Sequence, residues 1–576
     1  MNDLQRVALG KEPADLVVAD GRVLCPETGE FRSRDVAVVN NRIAALPESA
    51  EGVVGPETEV INADDHAVVP GFIDAHTHLD LLQSYETVYH RSLEGGTTAV
   101  VTECSSIGGA FGAAGVEQLL AATAYLPVTV RATVPPTPLF DTFEPPRATG
   151  READRLIGLL EDDRVIGVGE SGWIHAVGRD TPAEALYERA RELGKPVTGH
   201  GAGCRGAKLA AFASIVDDDH EAISTDGVVA RAENGIHVVG RYGSIRDDID
   251  ALAGGYERIG IAECSLSTDG MWPRDLLHEG HMNAVVRRAI EAGIEPADAV
   301  RMATLNPARH FGFADRGSLA PGNVADVVLL SDLERVAVRT VISGGEVVVR
   351  NGSATVGPRH REYPDRFYGA AEIRTDPERF TVAGREGPVR AICYEAGLLS
   401  SETTVEPRRD GGGFRADPDH DVLKVALLDR HPDASDETEG FTGFLAGFGL
   451  ERGAAATSIT WERAGVLVVG AEEEAMSRAA ERVRELGGGW VVVDEGGEVT
   501  AELPLRIGAT CSDLDLEETA TLLGTIERAL RSQGADVERP LLAVQTLSFT
   551  GVPALKLSFS GYADVLNREL VGLDPG

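Results

Sequence analysis

Short apolar runs of strand type alternate with helical patterns through the middle of this chain, and that alternation restricts the fold more than any other feature. Each run is followed by an amphipathic stretch of about 10 to 15 residues, which is typical of βα units. Eight such units in about 250 residues predict a (β/α)8 barrel, a TIM-like fold whose active site lies at the carboxyl ends of its strands. The runs fall at 67–75, 97–103, 127–133, 165–170, 196–200, near His220, 236–241 and 259–268.

The segments that flank the predicted barrel have a different pattern, with strand-type runs separated by turns. We expect residues 1–66 to form one half of a composite β-sandwich, residues 67–315 to form the barrel, and residues 316–356 to complete the sandwich. A stretch rich in Pro, Arg and Asp at 357–385 is predicted to be a linker. Residues 386–576 then form an additional C-terminal α/β domain, so the fold class is α/β. Its helices are predicted near 472–486 and 516–533.

The charge and the apolar pattern exclude several classes of partner. The formal net charge of −38 argues against a nucleic-acid-binding surface, which needs clustered positive charge, and against docking on anionic lipid. No run approaches the roughly 20 apolar residues that a membrane helix requires. The six cysteines are scattered singly, without a CxxC pair. We therefore expect a cytoplasmic protein with reduced cysteines, and a large domain beside a barrel is compatible with a homo-oligomer.

The first predicted barrel strand ends in the sequence PGFIDAHTH, which carries His76 and His78. Residues two apart on a strand project from the same face, so both imidazoles are expected to point into the barrel mouth. Two imidazoles placed there form one side of a divalent-metal site. An isolated HxH pair is common by chance, but this pair stands at the head of eight βα units.

Further residues of metal-ligand type fall at the ends of later predicted strands. They are Glu170 at the end of VIGVGE, His200 at the end of PVTGH, His220 after three aspartates, and Asp269 at the end of ECSLSTD. Together with the HxH pair they supply four histidines and two carboxylates, enough donors for two metal ions. A carboxylate is a natural bridge between two cations, so the sequence predicts a two-metal site at the barrel mouth.

These motifs resemble the adenine deaminase family of the amidohydrolase superfamily over most of the chain. VVPGFIDAHTH, VIGVGE, GHGAGCRGAKLAAF followed by DDDHEA, and STDG are similar to the barrel motifs of the family. GSLAPGNVADVVLL is similar to the segment with which chains of the superfamily pass from the barrel back to their small β domain. FLAGFGLERGAAATS, ELGGGWVVV and GVPALKLSFSG are similar to a C-terminal region that most other amidohydrolases lack.

The resemblance implies hydrolytic deamination of adenine, a small-molecule substrate, to hypoxanthine and ammonia. It implies two divalent metal ions, with Mn2+ first and Fe2+ or Zn2+ as alternatives. The implied ligands are His76, His78 and Asp269 for one ion, His200 and His220 for the other, and Glu170 between the two. Asp269 is implied to act as general acid and base, with Asp80 as a second proton shuttle. Arg241 resembles an arginine that the family carries after strand seven, which orients the substrate or pairs with a buried carboxylate. Trp173 follows Glu170 closely and is a candidate to line the substrate pocket, the alternative being that it packs the loop.

Several residues depart from the family pattern and leave the substrate open, as two of these departures show. The TDD of the family is Thr268-Asp-Gly here, and its His-Asp-Ser-His-Asn stretch is Thr460-Trp-Glu-Arg-Ala. A pocket that hydrogen-bonds its substrate discriminates strongly, so replaced partners are compatible with a replaced substrate. The alternatives are an amidohydrolase that acts on a different heterocycle or cyclic amide, and an inactive paralogue that only binds metal. Cyclic amidases with a carboxylated-lysine bridge are disfavoured, because Glu170 occupies that strand end.

The acidic composition generates a prediction about stability. Only five of the 54 basic residues are lysines, and acidic, lysine-poor chains resemble proteins of halophiles. Like charges repel one another in dilute buffer and are screened in molar salt, so we expect the melting temperature to rise between dilute buffer and molar KCl. Thermal melts followed by circular dichroism measure this shift. A melting temperature that does not change with KCl would contradict the halophile interpretation.

Overall fold

The computed structural model describes residues 1–178, 181–369, 371, 373–384, 387–410, 413–430 and 440–575. The predicted (β/α)8 barrel is confirmed as a sheet of eight parallel strands, which neighbour one another in chain order. The barrel strands are Phe72–Thr77, Thr97–Thr102, Thr129–Val134, Val165–Gly172, Val197–His200, Asp218–Asp219, His237–Arg241 and Cys264–Ser267.

The first predicted run, at 67–75, is divided between two sheets. Ala67–Pro70 pairs with Leu16–Cys25 and Val327–Leu330 in the flanking sheet, and only the strand that begins at Phe72 belongs to the barrel. Gly71 stands at the break, where a Cβ atom would collide with the side chain of Thr98. The alternation in sequence does not reveal this break, because both strands are apolar and fully buried.

Helices connect the barrel strands and bury apolar side chains against them, as in other βα units. The helices from the first to the sixth barrel strand are Tyr85–Glu94, Ser105–Phe111, Ala113–Thr123, Arg151–Gly158, Trp173–Ala176, Glu184–Leu193 and Ala207–Phe212. The later ones are Thr225–Glu233, Ile249–Ala253, Tyr256–Ile259, Pro273–His278, Met282–Glu291, Pro296–Met302 and Leu305–His310.

The first and the last barrel strands are joined by Asp74, which lies in the middle of the motif that carries the two histidines. Thr268 donates its backbone N–H and its hydroxyl to the Asp74 carboxylate, at 3.0 and 2.6 Å. The backbone N–H of Asp269 donates to the carbonyl oxygen of His76 at 3.0 Å. Asp269 has a left-handed φ of 51°, which short polar residues tolerate better than others. This seam places Asp269 directly beside the first strand.

The segments on both sides of the barrel form one composite sheet of nine strands, while the bounds of the flanking β-sandwich domain stay a prediction. Its two halves join where Val327–Leu330 runs antiparallel to Ala67–Pro70. A short N-terminal helix, Asp3–Ala8, packs against this sheet. The remaining strands of the sheet are Leu16–Cys25, Glu30–Val39, Arg42–Ala45, Glu59–Asn62, Val338–Ser343, Glu346–Arg350 and Ser353–Ala354.

The C-terminal residues form an eight-stranded sheet with one predicted helix on each face. Glu473–Leu486 buries Met476 and Val483 in the cluster on one face, and Leu516–Ser532 buries Ile526 in the cluster on the other. In spatial order the strands are Leu399–Val405, Val389–Ala396, Phe441–Ala446, Leu423–Asp429, Gly465–Gly470, Ala454–Thr457, Gly489–Val493 and Val499–Pro504. The shorter elements are the helix Pro540–Gln545 and the strands Val382–Ala383, Arg408–Asp410, Gly413–Arg415, Leu555–Leu557, Tyr562–Asp564 and Glu569–Val571.

The C-terminal part of the chain docks on the barrel through backbone pairing and polar contacts. Cys511–Ser512 pairs in parallel with Leu82–Gln83, just beyond the first barrel strand. Glu144, on a barrel loop, accepts hydrogen bonds from the backbone N–H and the hydroxyl of Ser560, both at 3.0 Å, and from the Ser558 hydroxyl. All six cysteines are free. None of the helices in the described residues combines the length and the apolar character needed to cross a membrane.

A buried ion pair ties the fifth barrel strand to the sixth and generates a stability prediction. Arg231 Nε lies 2.5 Å from Asp219 Oδ2, and Arg231 Nη2 donates to the carbonyl oxygens of Gly201 and Glu221, both at 3.0 Å. Removing one partner of such a pair leaves a buried charge uncompensated, so we expect Arg231→Met to lower the free energy of unfolding by about 3 kcal/mol. Denaturant titration measures the loss. The control is Arg335→Met, whose side chain is 84% exposed, and an equal effect of both variants would contradict the prediction.

Candidate metal centre at the barrel mouth

The first barrel strand delivers two imidazoles to one side of the barrel mouth. His76 lies within Phe72–Thr77 and His78 directly follows it, so the two-residue spacing puts both side chains on one face. Their rings meet edge to face with centroids 5.4 Å apart. His76 is buried, whereas the side chain of His78 retains 11% of its exposure.

Two carboxylates face these imidazoles and complete a first donor cluster. Asp269 Oδ1 lies 3.5 Å from His76 Nε2 and 3.4 Å from His78 Nε2. Glu170 offers both of its oxygens, with Oε1 at 3.6 Å from His76 Nε2 and Oε2 at 3.7 Å from His78 Nε2. The end of the eighth barrel strand, which carries Asp269, thus lies beside the end of the first strand. The end of the fourth strand, which carries Glu170, lies across from both.

Glu170 also belongs to a second donor cluster on the other side of the mouth. Its Oε1 lies 3.2 Å from His200 Nδ1 and 3.1 Å from His220 Nε2. The two imidazole nitrogens are themselves 3.2 Å apart. His200 ends the fifth barrel strand and His220 directly follows the sixth, so neighbouring strand ends bring the two rings together. Glu170 is the only member common to the two clusters.

The donor atoms fit divalent metal ions. Within each cluster they lie within 4.8 Å of one another, a spacing that could hold a metal ion. His76 Nε2 is buried without a hydrogen-bond partner among the described residues, which is costly for a polar nitrogen unless it binds something else. A mixture of imidazole and carboxylate donors suits first-row divalent cations such as Mn2+, Fe2+ and Zn2+.

The clustered groups shift one another's pKa in opposite directions. Burial alone would lower the pKa of His78 and of His200, but the nearby carboxylates outweigh it and raise both values to about 9. Burial alone would raise the pKa of Glu170 and of Asp269. The histidines, and for Asp269 the guanidinium of Arg241, hold the pKa of both carboxyls well below the usual range. Both carboxylates are therefore ionised at neutral pH, as metal ligands must be.

Arg241 lies in a buried group of carboxylates next to the first cluster. Its Nη1 donates to Asp269 Oδ2 at 3.0 Å and its Nε donates to Asp248 Oδ2 at 2.7 Å. Its Nη2 lies 2.6 Å from Glu221 Oε1. Burial alone would raise the pKa of Glu221, but Arg241 and His200 lower it to about 2. Arg241 lines the cavity at the mouth and orients Asp269, while its contact with the substrate stays a prediction.

Glu103 is a buried carboxylate beside the first cluster that the sequence reasoning missed. It directly follows Thr97–Thr102, and its Oε1 lies 3.2 Å from His76 Nδ1. Its Oε2 accepts hydrogen bonds from the backbone N–H of Glu170 at 2.6 Å and from the Thr133 hydroxyl at 3.1 Å. One carboxylate therefore orients two candidate ligands. The sequence did offer a signal for Glu103, since this acidic residue ends a predicted barrel strand.

Two predicted site residues are not brought into the clusters. Asp80 Oδ2 accepts hydrogen bonds from two backbone N–H groups of the helix Ser105–Phe111, both at 2.8 Å. Trp173 donates its indole N–H to the carbonyl oxygen of Ala202 at 2.8 Å, and the guanidinium of Arg568 lies over its ring. Neither side chain is among those that line the cavity above the clusters. Their roles as proton shuttle and substrate contact therefore stay predictions, without support from these contacts.

A cavity of about 470 Å³ lies above the clusters, counting the space that is open to solvent. Its floor consists of barrel residues, among them Glu221, Arg241 and every candidate ligand except His76, which is buried. Its roof comes from the C-terminal part of the chain, through Leu398, Trp461, Glu462 and Phe549. Both parts of the fold are needed to enclose it.

Comparison with known proteins agrees with this arrangement. A model of the amidohydrolase family matches residues 67–348, and a model of the adenine deaminase C-terminal domain matches residues 398–569. The adenine deaminase of Moorella thermoacetica is 34% identical over 100% of this chain and 98% of its own length. That of Kosmotoga olearia is 30% identical over 99% of this chain and 98% of its own length. The chain belongs to the adenine deaminase family. It is therefore a hydrolytic enzyme of the amidohydrolase superfamily.

One family match covers the part of the chain that forms the floor of the cavity, and the other covers the part that forms its roof. The amidohydrolase match contains every candidate metal ligand, and the C-terminal match contains the whole roof.

The solved structures that resemble this chain are less similar to it than the relatives named above. A β-aspartyl dipeptidase from Fervidobacterium islandicum AW-1 has a TM-score of 0.47 at 20% identity and covers 61% of this chain and 100% of its own. An adenosine deaminase from Xanthomonas campestris with bound zinc has a TM-score of 0.45 at 18% identity, with 60% and 94% covered.

Removing the Glu103 carboxylate tests its part in holding the centre. Loss of a partner that orients a metal-binding histidine typically weakens metal affinity by about 10- to 100-fold, so we expect a loss of that size for Glu103→Gln. Calorimetric titration of the metal-free protein with Mn2+ or Zn2+ measures the affinity. Glu117→Gln, which changes an exposed carboxylate on Ala113–Thr123, should bind metal as the wild type does. Unchanged affinity in Glu103→Gln would show that the strand alone positions His76.

Proposed function

We propose that this enzyme hydrolyses adenine to hypoxanthine and ammonia. The observation that carries the proposal is the shared cavity, with two clusters of metal-ligand type on its floor and a roof that matches the adenine deaminase C-terminal domain. Relatives named adenine deaminase that align with the whole chain support the same reaction. The substrate is thus a small planar base, and the proposed reaction belongs to purine salvage.

The metal ligands of the proposal are the six strand-end donors, His76, His78 and Asp269 for one cation, His200 and His220 for the other, and Glu170 between them. Mn2+ is the proposed metal, with Fe2+ or Zn2+ as alternatives that the same donors suit. When bound, the cations supply Lewis acidity, which lowers the pKa of water and makes a nucleophile available near neutral pH.

Asp269 is the proposed proton-transfer group. Water adds to C6 of adenine, and its two protons end on ring N1, where hypoxanthine keeps one, and on the departing amino nitrogen. Asp269 accepts a proton from the water and delivers it to that nitrogen. A C–O bond forms, the C–N bond breaks and ammonia leaves. Arg241 lies 3.0 Å from Asp269 Oδ2 and so keeps Oδ1 turned toward His76 and His78, at the floor of the cavity. The aromatic roof reduces the access of bulk water to this floor.

A different heterocycle is the second candidate substrate. The observation in its favour is that Trp461 and Glu462 line the cavity, where the family pattern has a histidine-rich stretch. Because contacts in the roof select the substrate more than they affect the hydrolytic groups, such a change alters specificity before it alters chemistry. An inactive metal-binding paralogue is less well supported, since the complete donor set and Asp269 are retained.

The proposal predicts the effect of removing the proton-transfer group. We expect Asp269→Asn to lower kcat for adenine by at least about 100-fold, because general acid–base groups typically contribute that much. The ultraviolet change from adenine to hypoxanthine, together with ammonia release, measures turnover by protein loaded with Mn2+. Metal content of the same samples is measured in parallel, since Asp269 is also a proposed ligand.

Asp247→Asn is the control, because Asp247 is partly exposed and pairs with Arg288 outside the cavity. It should turn adenine over at the wild-type rate. A metal-loaded wild type that deaminates no adenine would contradict the proposed substrate, and full activity of Asp269→Asn would contradict the assigned role.

A further inference from the structure

The C-terminal part of the chain places one carboxylate in the roof of the cavity. Glu462 lies in the loop before the strand Gly465–Gly470, next to Trp461. Phe549 meets the Trp461 ring edge to face at 4.8 Å between centroids, and meets the His200 ring at 5.2 Å. The roof is thus an aromatic surface in contact with a candidate metal ligand, and Glu462 is the acidic residue that it contributes to the cavity lining.

The orientation of the Glu462 carboxylate is fixed from one side. Thr550 donates its backbone N–H and its hydroxyl to Glu462 Oε2, at 2.9 and 2.8 Å. The Thr550 hydroxyl also lies 3.1 Å from His175 Nε2, and His175 Nδ1 lies 2.9 Å from the hydroxyl of Thr142. Within the described part of the chain, both hydrogen bonds that Glu462 accepts end on Oε2. Oε1 is therefore available to a ligand in the cavity.

A hydrogen-bond acceptor in the roof matches one feature of a free purine base. Neutral adenine carries an N–H at N9 of its imidazole ring, across the base from C6. With C6 directed at the floor, where the donor clusters lie, N9 faces the roof. A carboxylate oxygen accepts such an N–H, and the flat rings of Trp461 and Phe549 offer apolar contact to the rest of the base.

We propose that Glu462 is a specificity-determining residue that accepts the N9–H of adenine through Oε1, and so selects the free base over purines substituted at N9. This inference rests on the proposed function, because it takes adenine as the substrate. A purine without the N9–H leaves a desolvated carboxylate oxygen unpaired. Sites built to hydrogen-bond a substrate reject analogues that lack the bonding group far more strongly than apolar pockets do.

The isosteric variant Glu462→Gln isolates this hydrogen bond. The two Thr550 donors require an oxygen at the Oε2 position, so the amide nitrogen takes the Oε1 position and meets the N9–H donor to donor. We expect kcat/KM for adenine to fall at least about tenfold, mainly through KM, while kcat/KM for 9-methyladenine changes by less than about twofold. The preference of the wild type for adenine over 9-methyladenine should shrink accordingly.

Glu144→Gln is the matched control. Glu144 is also a carboxylate that joins the barrel to the C-terminal part of the chain, but it bonds Ser558 and Ser560 and does not line the cavity. It should lower the melting temperature and leave the preference for adenine unchanged. Parallel measurement of both variants on both substrates therefore separates a structural effect from a loss of selection.

The outcomes separate this inference from the function on which it rests. Adenine turnover by the wild type with an unchanged preference in Glu462→Gln would overturn the role of Glu462 alone. A wild type that prefers 9-methyladenine, or treats it like adenine, would overturn it as well. A metal-loaded wild type that turns over no adenine would overturn the proposed function and, with it, this inference.

Discussion

Burying many ionisable groups in one place is costly, and the barrel mouth is organised around that cost. Each buried group there is compensated by a neighbour of opposite charge or by a hydrogen bond. Glu170 lies among four imidazoles, and Asp269 lies between two imidazoles and Arg241. The Glu103 carboxylate likewise compensates the second ring nitrogen of His76, Nδ1. The donor clusters therefore depend on a surrounding set of carboxylates and one guanidinium, none of which binds metal in the proposal.

The same compensation also holds the barrel together. Asp74 joins the last strand to the first, directly beneath the two histidines of the motif. Asp219 accepts hydrogen bonds from the backbone N–H groups of Gly201 and Glu221, which flank His200 and His220 in sequence, and pairs with Arg231. Polar side chains next to each ligand thus set the relative positions of neighbouring strand ends. Loss of fold and loss of the centre are linked for this reason.

Sequence alone predicts the barrel because its strand and helix patterns are local and repeat. It also predicts the donors, since the carboxyl ends of parallel strands converge. It does not predict that Asp80 caps a helix or that Arg568 covers Trp173, because these contacts join residues that lie far apart or depend on helix geometry. The place of Glu462 in the cavity cannot be predicted from sequence for the same reason. Its partner Thr550 lies 88 residues away, and only the docked C-terminal part brings both residues to the cavity.

The cavity is assembled from two parts of the fold that carry different tasks. The floor residues sit on strand ends and are tied into the barrel by buried polar contacts, so nearly every change there disturbs the sheet as well. The roof residues sit on loops of the C-terminal part of the chain, and there the ring of Phe549 meets that of His200 on the floor. Evolution can therefore exchange roof side chains, and with them the accepted substrate, while the hydrolytic floor is inherited unchanged. A lineage with this architecture can diversify its substrates through few substitutions.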